Sequence, residues 1–424
     1  MTTQKLSDLK PAAGICCAVG VSTSADIDIA VREAALQARR GIIGPADLAV
    51  VFASGAYGLA VRPAFESLSE IVTAGVVIAT TVEGVLAGDT EYESGPVVSV
   101  WLARLPGAQI VPLSLEYTQT PDGGMFVGWP EELTTQWPAN ATLLLLADPF
   151  SFPVDALIRR MEEDHPGVPI VGGMASGGQE PGTNTLVIGS RSYSTGAVGV
   201  MIGGGVQIRP VVSQGCRPIG HTMVITKSES NVIIELGGKP ALERLREIYG
   251  ELDSVDQQLV RSSLHVGRVA SEYQDHFQRG DFLVRNVVGA DPESGVIAIG
   301  DVVRTGQTIQ FHVRDSQSAH KDLQVLLTRD KSRSPPPAGA LVFTCNGRGT
   351  RLFDTASHDA QCLQEGLGPI PAAGFFAQGE IGPIGTRNCL HGFTASIAIF
   401  EPSPLGSEAR LDATEGEPED QQPD

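Results

Sequence analysis

Three segments of the chain share one order of hydrophobic and polar positions. Each opens with a continuous apolar run, passes through a short turn of small polar residues and continues as a helical stretch. A second apolar run that ends in small residues follows, and then a return run next to glycines. The opening runs lie at residues 48–55, 142–149 and 340–349. Because uninterrupted apolar runs are typical of strands buried on both faces, we expect three strand–helix–strand repeats.

The glycines that flank the return runs indicate hairpin partners, which a doubly wound parallel sheet would not have. We therefore predict an α+β (mixed α/β) fold with layered mixed β-sheets flanked by helices. Our preferred arrangement is an α/β/β/α sandwich with internal strand–helix–strand repeats. Between the second and third repeats, residues 206–314 carry a further β pattern with helices expected at residues 240–252 and 254–264.

The charge balance narrows the classes of partner. Lys and Arg number 30 against 49 Asp and Glu, for a formal charge of −19. Such a surface repels phosphate backbones and anionic lipids, so we expect no nucleic-acid and no membrane partner. Part of the acidic excess lies in residues 402–424, which we predict to be a disordered tail, as we do for residues 1–12.

The six cysteines form no CxxC pair and no Cys/His cluster with zinc spacing. We therefore predict no metal site. We also predict no cofactor, because the sequence contains no cofactor-binding motif. The N-terminus has no apolar signal-peptide core, and free thiols are typical of a reducing compartment. These features predict a cytoplasmic protein.

Several short motifs occur in a characteristic order. They comprise paired glycines at 172–173, Gly-Cys-Arg-Pro-Ile-Gly at 215–220, Val-x-Thr at 224–226, Asn231, Leu-x-Gly-x-Pro-Ala at 236–241, Cys-x-Gly-Arg-Gly at 345–349 and Gly-Glu-Ile-Gly-Pro at 379–383. Their order resembles that of the FIST family, named for F-box and intracellular signal-transduction proteins. The resemblance covers roughly residues 15–400 and divides the chain into an N-type domain (13–238) and a C-type domain (239–401).

The resemblance implies a sensory module that binds a small ligand, for which an amino acid is one candidate, and that has a possible protein signalling partner. No kinase, methyl-accepting or F-box segment is visible in the chain. The resemblance does not imply an enzyme.

If the repeats are real, the turns at their strand ends should converge on one surface, where ligands usually bind in α/β proteins. The candidates are the polar residues at these ends: Ser54, Asp148, Cys345, Asn346 and Arg348 after the opening strands, and Ser176, Gln378 and Glu380 after the second strands.

Two of these residues suggest a specific chemistry. The exposed amides of the turn at 345–349, together with Arg348, would suit a carboxylate or phosphate. Glu380 would suit the amine of a ligand. The alternatives are a tight turn and a structural ion pair between Arg348 and a neighbouring acid.

Cys345 raises an alternative function, a cysteine-dependent hydrolase or transferase. That chemistry needs a histidine or an electropositive setting to form the thiolate. His320, His358 and His391 are present, but no sequence signature joins them to Cys345. A packing role for this cysteine, and a protein-interaction scaffold as the function of the chain, are the remaining alternatives.

Overall fold

The computed structural model describes residues 14–120, 123–274, 276–328 and 336–403. The predictions of disorder for residues 1–12 and for 404–424 of the acidic tail lie outside the described residues. Among the described helices, none combines the length and the apolar character needed to cross a bilayer.

The strands and helices are numbered in chain order. The strands up to residue 214 are β1 (Cys16–Ser22), β2 (Ala46–Ser54), β3 (Ala74–Val82), β4 (Val85–Ala87), β5 (Thr90–Tyr92), β6 (Val98–Arg104), β7 (Ala108–Thr120), β8 (Gly123–Val127), β9 (Thr142–Ala147), β10 (Ile170–Met174), β11 (Leu186–Ile188), β12 (Arg191–Tyr193), β13 (Ala197–Gly204) and β14 (Val206–Gln214). The later strands are β15 (Cys216–Glu229), β16 (Val232–Leu236), β17 (Lys239–Pro240), β18 (Leu264–Val269), β19 (Phe282–Asp291), β20 (Val296–Ile299), β21 (Thr308–Arg314), β22 (Gly339–Cys345), β23 (Ala372–Ala377), β24 (Glu380–Ile384), β25 (Arg387–His391) and β26 (Thr394–Pro402). The helices are α1 (Ile27–Arg40), α2 (Val61–Glu66), α3 (Leu68–Ile71), α4 (Glu131–Thr135), α5 (Val154–Asp164), α6 (Ala241–Glu251), α7 (Ser254–Ser263), α8 (Ser316–Thr328) and α9 (His358–Leu367).

The three repeats have one topology. In each repeat the opening strand lies in the middle, pairs in parallel with the second strand and pairs antiparallel with the return strand. The resulting triplets are β3-β2-β6, β10-β9-β13 and β23-β22-β26. The predicted internal strand–helix–strand repeats are therefore confirmed.

The repeats also exchange hairpins. The hairpin β4–β5 of the first repeat pairs with β23 of the third, β11–β12 of the second pairs with β3 of the first, and β24–β25 of the third pairs with β10 of the second. Each repeat therefore donates a hairpin to another in a closed cycle. This exchange interlocks the three sheets through backbone hydrogen bonds as well as side-chain packing.

The opening strands show why their sequences are continuously apolar. Alternate residues, such as Phe52, Leu146 and Phe343, point into one core shared by all three sheets. The residues between them, such as Val51 and Leu145, pack under helices on the outer faces. Any two sheets with their outer helices form the helix–sheet–sheet–helix layering, and the third sheet makes the inner core three-sided. The predicted α+β class with layered mixed sheets and flanking helices is confirmed.

A fourth sheet is inserted between the second and third repeats. Its strand order is β15-β21-β18-β19-β20-β16-β17, and a further pairing of β15 with β16 closes the sheet on itself. Helices α6 and α7 cover its apolar side. This sheet starts at Cys216 and its strand β21 ends at Arg314, so both residues lie where the inserted sheet joins the repeats.

Candidate functional site

Arg348 lies in the turn that follows β22 and is fully buried. Its Nε donates to Asp359 Oδ2 at 2.6 Å and its Nη2 donates to Asp359 Oδ1 at 2.8 Å. Thr344 Oγ1 also donates to Asp359, at 2.7 Å. Burial alone would raise the pKa of Asp359, but the Arg348 charge and these hydrogen bonds hold it well below its usual range. The pair is therefore ionised.

The next turn residue must be a glycine. Gly349 has φ +60°, and a Cβ there would lie 2.7 Å from the Glu93 carboxyl carbon. Glu93 instead accepts from the backbone N and the Oγ1 of Thr350, at 2.9 and 2.6 Å. The glycine-rich motif thus shapes the turn that points Arg348 inward.

Glu380 begins β24 and is also fully buried. Its Oε2 accepts from the backbone N of Thr394 at 3.0 Å and from Thr394 Oγ1 at 2.8 Å. Burial raises the pKa of Glu380 to about 8, and the Thr394 hydrogen bonds and the Arg348 charge offset only part of this shift. Near neutral pH the carboxyl group can therefore gain or lose a proton.

Two residues of the inserted sheet complete the group. Arg314 donates to the carbonyl of Gly347, and the thiol of Cys216 interacts electrostatically with Arg314 and Cys345. We call the set Cys216, Arg314, Cys345, Arg348 and Glu380 the Arg348–Glu380 cluster. It lies where the third-repeat sheet, the second-repeat sheet and the inserted sheet meet.

The cluster has spare hydrogen-bonding capacity. Within the described part of the chain, Arg348 Nη1, Arg314 Nε and Glu380 Oε1 are buried atoms without a hydrogen-bond partner of normal geometry. The Cys345 thiol lies close enough to Glu380 to influence its pKa, but a thiol is a weak donor. Because buried polar groups are nearly always hydrogen-bonded, three such atoms in one cluster indicate a place for further polar partners.

A narrow cavity adjoins the cluster, between Gly215, Cys216, Phe393 and Thr394, and it is too tight to hold a water molecule. A Cβ at Gly215 would lie 3.3 Å from Arg348 Nη1, so this unpartnered nitrogen faces the cavity wall. Phe393 has φ +67°, which is costly for a bulky side chain. Its ring covers Arg314, with the guanidinium carbon 5.6 Å from the ring centroid.

A wider cleft lies elsewhere on the molecule. It measures about 770 Å³ and is lined by Tyr117, Trp129, Trp137 and their neighbours. It contains none of the residues that the sequence analysis singled out.

The structure places the other candidate residues in different settings. Ser54 bonds to the backbone of Gly95 and Val97, and Asp148 accepts from Ser151 and Asn184, so each joins its own turn to a neighbouring loop. Ser176 donates to Phe376 O and accepts from Glu83 N, which joins the second-strand ends of all three repeats.

Two further candidates flank the cluster. Asn346 is half-buried beside Cys345, and Gln378 is exposed. Of the residues singled out from the sequence, the structure thus brings together Cys345, Arg348 and Glu380.

The surroundings of Cys345 do not favour a nucleophile. Burial, with the nearby Glu380 carboxyl group, raises the pKa of its thiol to about 12. Among the described residues, no histidine makes a hydrogen bond to its sulfur. His391 instead bonds to the carbonyl of Gly382, and His320 and His358 bond to each other.

Sequence reasoning missed Arg314, Asp359, Phe393 and Thr394. Arg314 follows an ordinary alternating strand and Asp359 lies on an ordinary helix, so neither carries a local signal. Cys216 does carry a local sequence signal, since it lies inside the motif at 215–220. Arg314 joins the site through the inserted sheet, whereas Asp359 reaches Arg348 from α9 of the same repeat.

The raised pKa of Glu380 predicts a pH dependence. An unfolded glutamate has a pKa of about 4.3, so between that value and about 8 the folded state keeps a proton that the unfolded chain releases. The contribution of Glu380 to stability therefore falls as pH rises through this window. Relative to Glu380→Gln, the wild-type protein should lose up to about 1.4 kcal/mol per pH unit. Urea denaturation of both proteins at about pH 5.5 and about pH 7.5 measures this difference, and parallel pH curves would contradict it.

Comparisons with known proteins identify the family of the chain. The FIST N domain model matches residues 47–239, and the FIST C domain model matches residues 241–383. An uncharacterized protein of Mycobacterium tuberculosis (strain H37Rv) is 43% identical over 385 residues, which cover 90% of this chain and 98% of that protein. An uncharacterized protein of Mycobacterium bovis is 42% identical over 384 residues, with the same coverage of 90% and 98%. The two domain matches together span most of the chain, which therefore belongs to the FIST family of sensory signal-transduction domains.

Proposed function

We propose that this FIST protein senses a small ligand that carries both an amine and a carboxylate, such as an amino acid, at the Arg348–Glu380 cluster. The observation that carries the proposal is the set of buried charged side chains with unpartnered polar atoms: Arg348 Nη1, Arg314 Nε and Glu380 Oε1. Two guanidinium groups suit a carboxylate, and a carboxyl group suits an amine. The amine of a zwitterion would favour the ionised form of Glu380, so that both ligand charges meet opposite charges in the cluster.

The position of the cluster supports a sensory role. Gly215 and Cys216 belong to the part matched by the FIST N domain, whereas Arg314, Arg348 and Glu380 belong to the part matched by FIST C. A ligand that contacts both parts would change the free energy of their association, which a partner protein could then detect. Such a signalling partner is part of this proposal, as are the domain limits 13–238 and 239–401.

Binding requires local opening, because the cavity beside the cluster is too narrow for a ligand. The turn at Gly392 and Phe393 closes it, and Phe393 adopts its costly positive φ there. Displacing the Phe393 ring would uncover Arg314 and relieve that backbone conformation. All six cysteines are unpaired, which supports a reducing compartment and hence action in the cytoplasm.

The test is calorimetry and thermal unfolding with a panel of free amino acids at millimolar concentration. A ligand at about 100 times its dissociation constant should add about 2.7 kcal/mol to the free energy of unfolding. Glu380→Gln keeps the shape of the side chain but cannot ionise, and we expect it to weaken binding at least about tenfold, or about 1.4 kcal/mol. Glu243→Gln, an exposed glutamate on α6, serves as the matched control and should bind like wild type.

Two results would count against the proposal. In the first, no amino acid of the panel stabilises the wild-type protein. In the second, a ligand binds Glu380→Gln as tightly as it binds the wild type, which would place its site elsewhere.

A further inference from the structure

We propose that His320, His358 and Cys362 form a zinc-binding site on the outer face of the third repeat. One ligand atom from each residue, His320 Nδ1, His358 Nε2 and Cys362 Sγ, lies within 4.8 Å of the other two. The sequence alone predicts no metal site, because these three residues do not have the spacing of a zinc motif. Two nitrogens and a sulfur are a donor set that zinc prefers.

Two packed helices bring the donors together. His358 and Cys362 are four residues apart on α9, so their side chains share one face. His320 comes from α8, which packs against α9 through Leu323, Leu327 and Leu363 among others. The contact is close, since a Cβ at Gly366 would lie 2.5 Å from the Cβ of Leu327. The two helices that carry the donors are therefore closely packed.

The distances between donors fit one shared cation. Tetrahedral zinc with ordinary bond lengths places a sulfur and a nitrogen about 3.6 Å apart and two nitrogens about 3.3 Å apart. Cys362 Sγ lies 3.5 Å from His320 Nδ1 and 3.8 Å from His358 Nε2. The two nitrogens are 2.9 Å apart, so a shift of a few tenths of an ångström would complete the geometry.

A second layer of contacts orients His358. Its Nδ1 donates to Asp359 Oδ1 at 2.9 Å, so the proton sits on Nδ1 and Nε2 presents a lone pair to the other two donors. Zinc-bound histidines generally donate their other nitrogen to a carboxylate in this way. The ring also stacks on Phe353, with centroids 3.4 Å apart and planes within 10°. The imidazole is thus held in a ligating orientation.

The competing interpretation is a hydrogen bond between the two histidines, for which 2.9 Å is also a normal length. Burial and the Asp359 charge raise the pKa of the Cys362 thiol to about 12, so zinc binding would have to displace its proton. A hydrogen bond between the two histidines does not account for the position of the Cys362 thiol beside them. Zinc binding does, because the thiol would be the third ligand. Both histidines keep part of their surface exposed, so a water molecule from solvent would serve as the fourth ligand.

The zinc site and the proposed amino-acid site are neighbours, but they can be tested separately. Asp359 bonds to both His358 and Arg348, so the two sites share one carboxylate. However, the zinc test measures the metal itself, and its outcome does not depend on any amino-acid ligand.

The experiment uses the full chain without a histidine tag, stripped with a chelator and titrated with Co²⁺ and then Zn²⁺. We expect one equivalent of Co²⁺ to give the visible bands of a tetrahedral site and a near-ultraviolet thiolate-to-cobalt band, both abolished by Zn²⁺. Cys362→Ser should remove the thiolate band, and His320→Gln should weaken binding by at least about tenfold. The wild-type spectrum tests the proposal even if a variant folds poorly.

Two controls match these variants. Cys389→Ser removes a buried thiol on β25, and His221→Gln removes an exposed histidine on β15, and both should bind Co²⁺ like wild type. Absence of saturable one-to-one binding, or a thiolate band that persists in Cys362→Ser, would overturn the proposal. The pair of histidines would then be a hydrogen bond only.

Discussion

Replacing Arg348 with methionine is expected to lower the free energy of unfolding by about 3–5 kcal/mol. The substitution leaves the Asp359 carboxylate fully buried without its cation, whereas methionine still fills much of the space beside Phe353. The large effect therefore reflects an uncompensated buried charge more than a cavity. Urea denaturation measures it as a lower midpoint at an unchanged slope.

Arg351→Met is the matched control for Arg348→Met. Arg351 lies three residues later and pairs with Glu83, but its side chain is 57% exposed. Exposed ion pairs contribute about 0–1 kcal/mol, so this variant should unfold almost like the wild type. If both variants lost the same free energy of unfolding, other groups would stabilise the Asp359 carboxylate and its ion pair with Arg348 would contribute no more than an exposed pair.

Replacing Phe375 with alanine is expected to cost about 3–5 kcal/mol, because it empties a fully buried position in the core. Phe375 contacts all three repeats. Its ring centroid lies 5.0 Å from that of Phe52 in the first repeat and 5.5 Å from that of Phe343 in the third. A Cβ at Gly173 of the second repeat would lie 2.9 Å from the Phe375 ring. The variant thus tests whether the three sheets share one core.

The control for Phe375→Ala is Leu59→Ala, at a position that is 97% exposed, which should change stability by less than about 0.5 kcal/mol. A shared core predicts that the whole repeat body of Phe375→Ala unfolds at a lower denaturant concentration, as followed by tryptophan fluorescence and circular dichroism together. If only one separate transition moves while another stays in place, the sheets are independent units and the interlocked core is wrong.

The continuous apolar runs are sufficient to predict the three repeats from the sequence. Val51 is buried under helices and Phe52 is buried in the shared core. A strand that is buried on both faces therefore has apolar residues at successive positions. The motifs at 345–349 and 379–383 likewise identified Arg348 and Glu380, because glycines mark the turns where a chain passes close to other groups. The motifs did not predict that these two residues and their partners lie close together.

The class of the fold, the threefold repetition, the family and three members of the cluster could be predicted from the amino-acid sequence. These are local properties, since burial on both faces and tight turns select residue types at each position. The folded chain was needed to show the exchange of hairpins, the position of Arg314 in the cluster and of Asp359 beside Arg348, and the meeting of His320 with His358 and Cys362. Strand exchange is made by backbone hydrogen bonds that every residue type offers, and helix packing joins residues 38 positions apart. No local pattern encodes either of them.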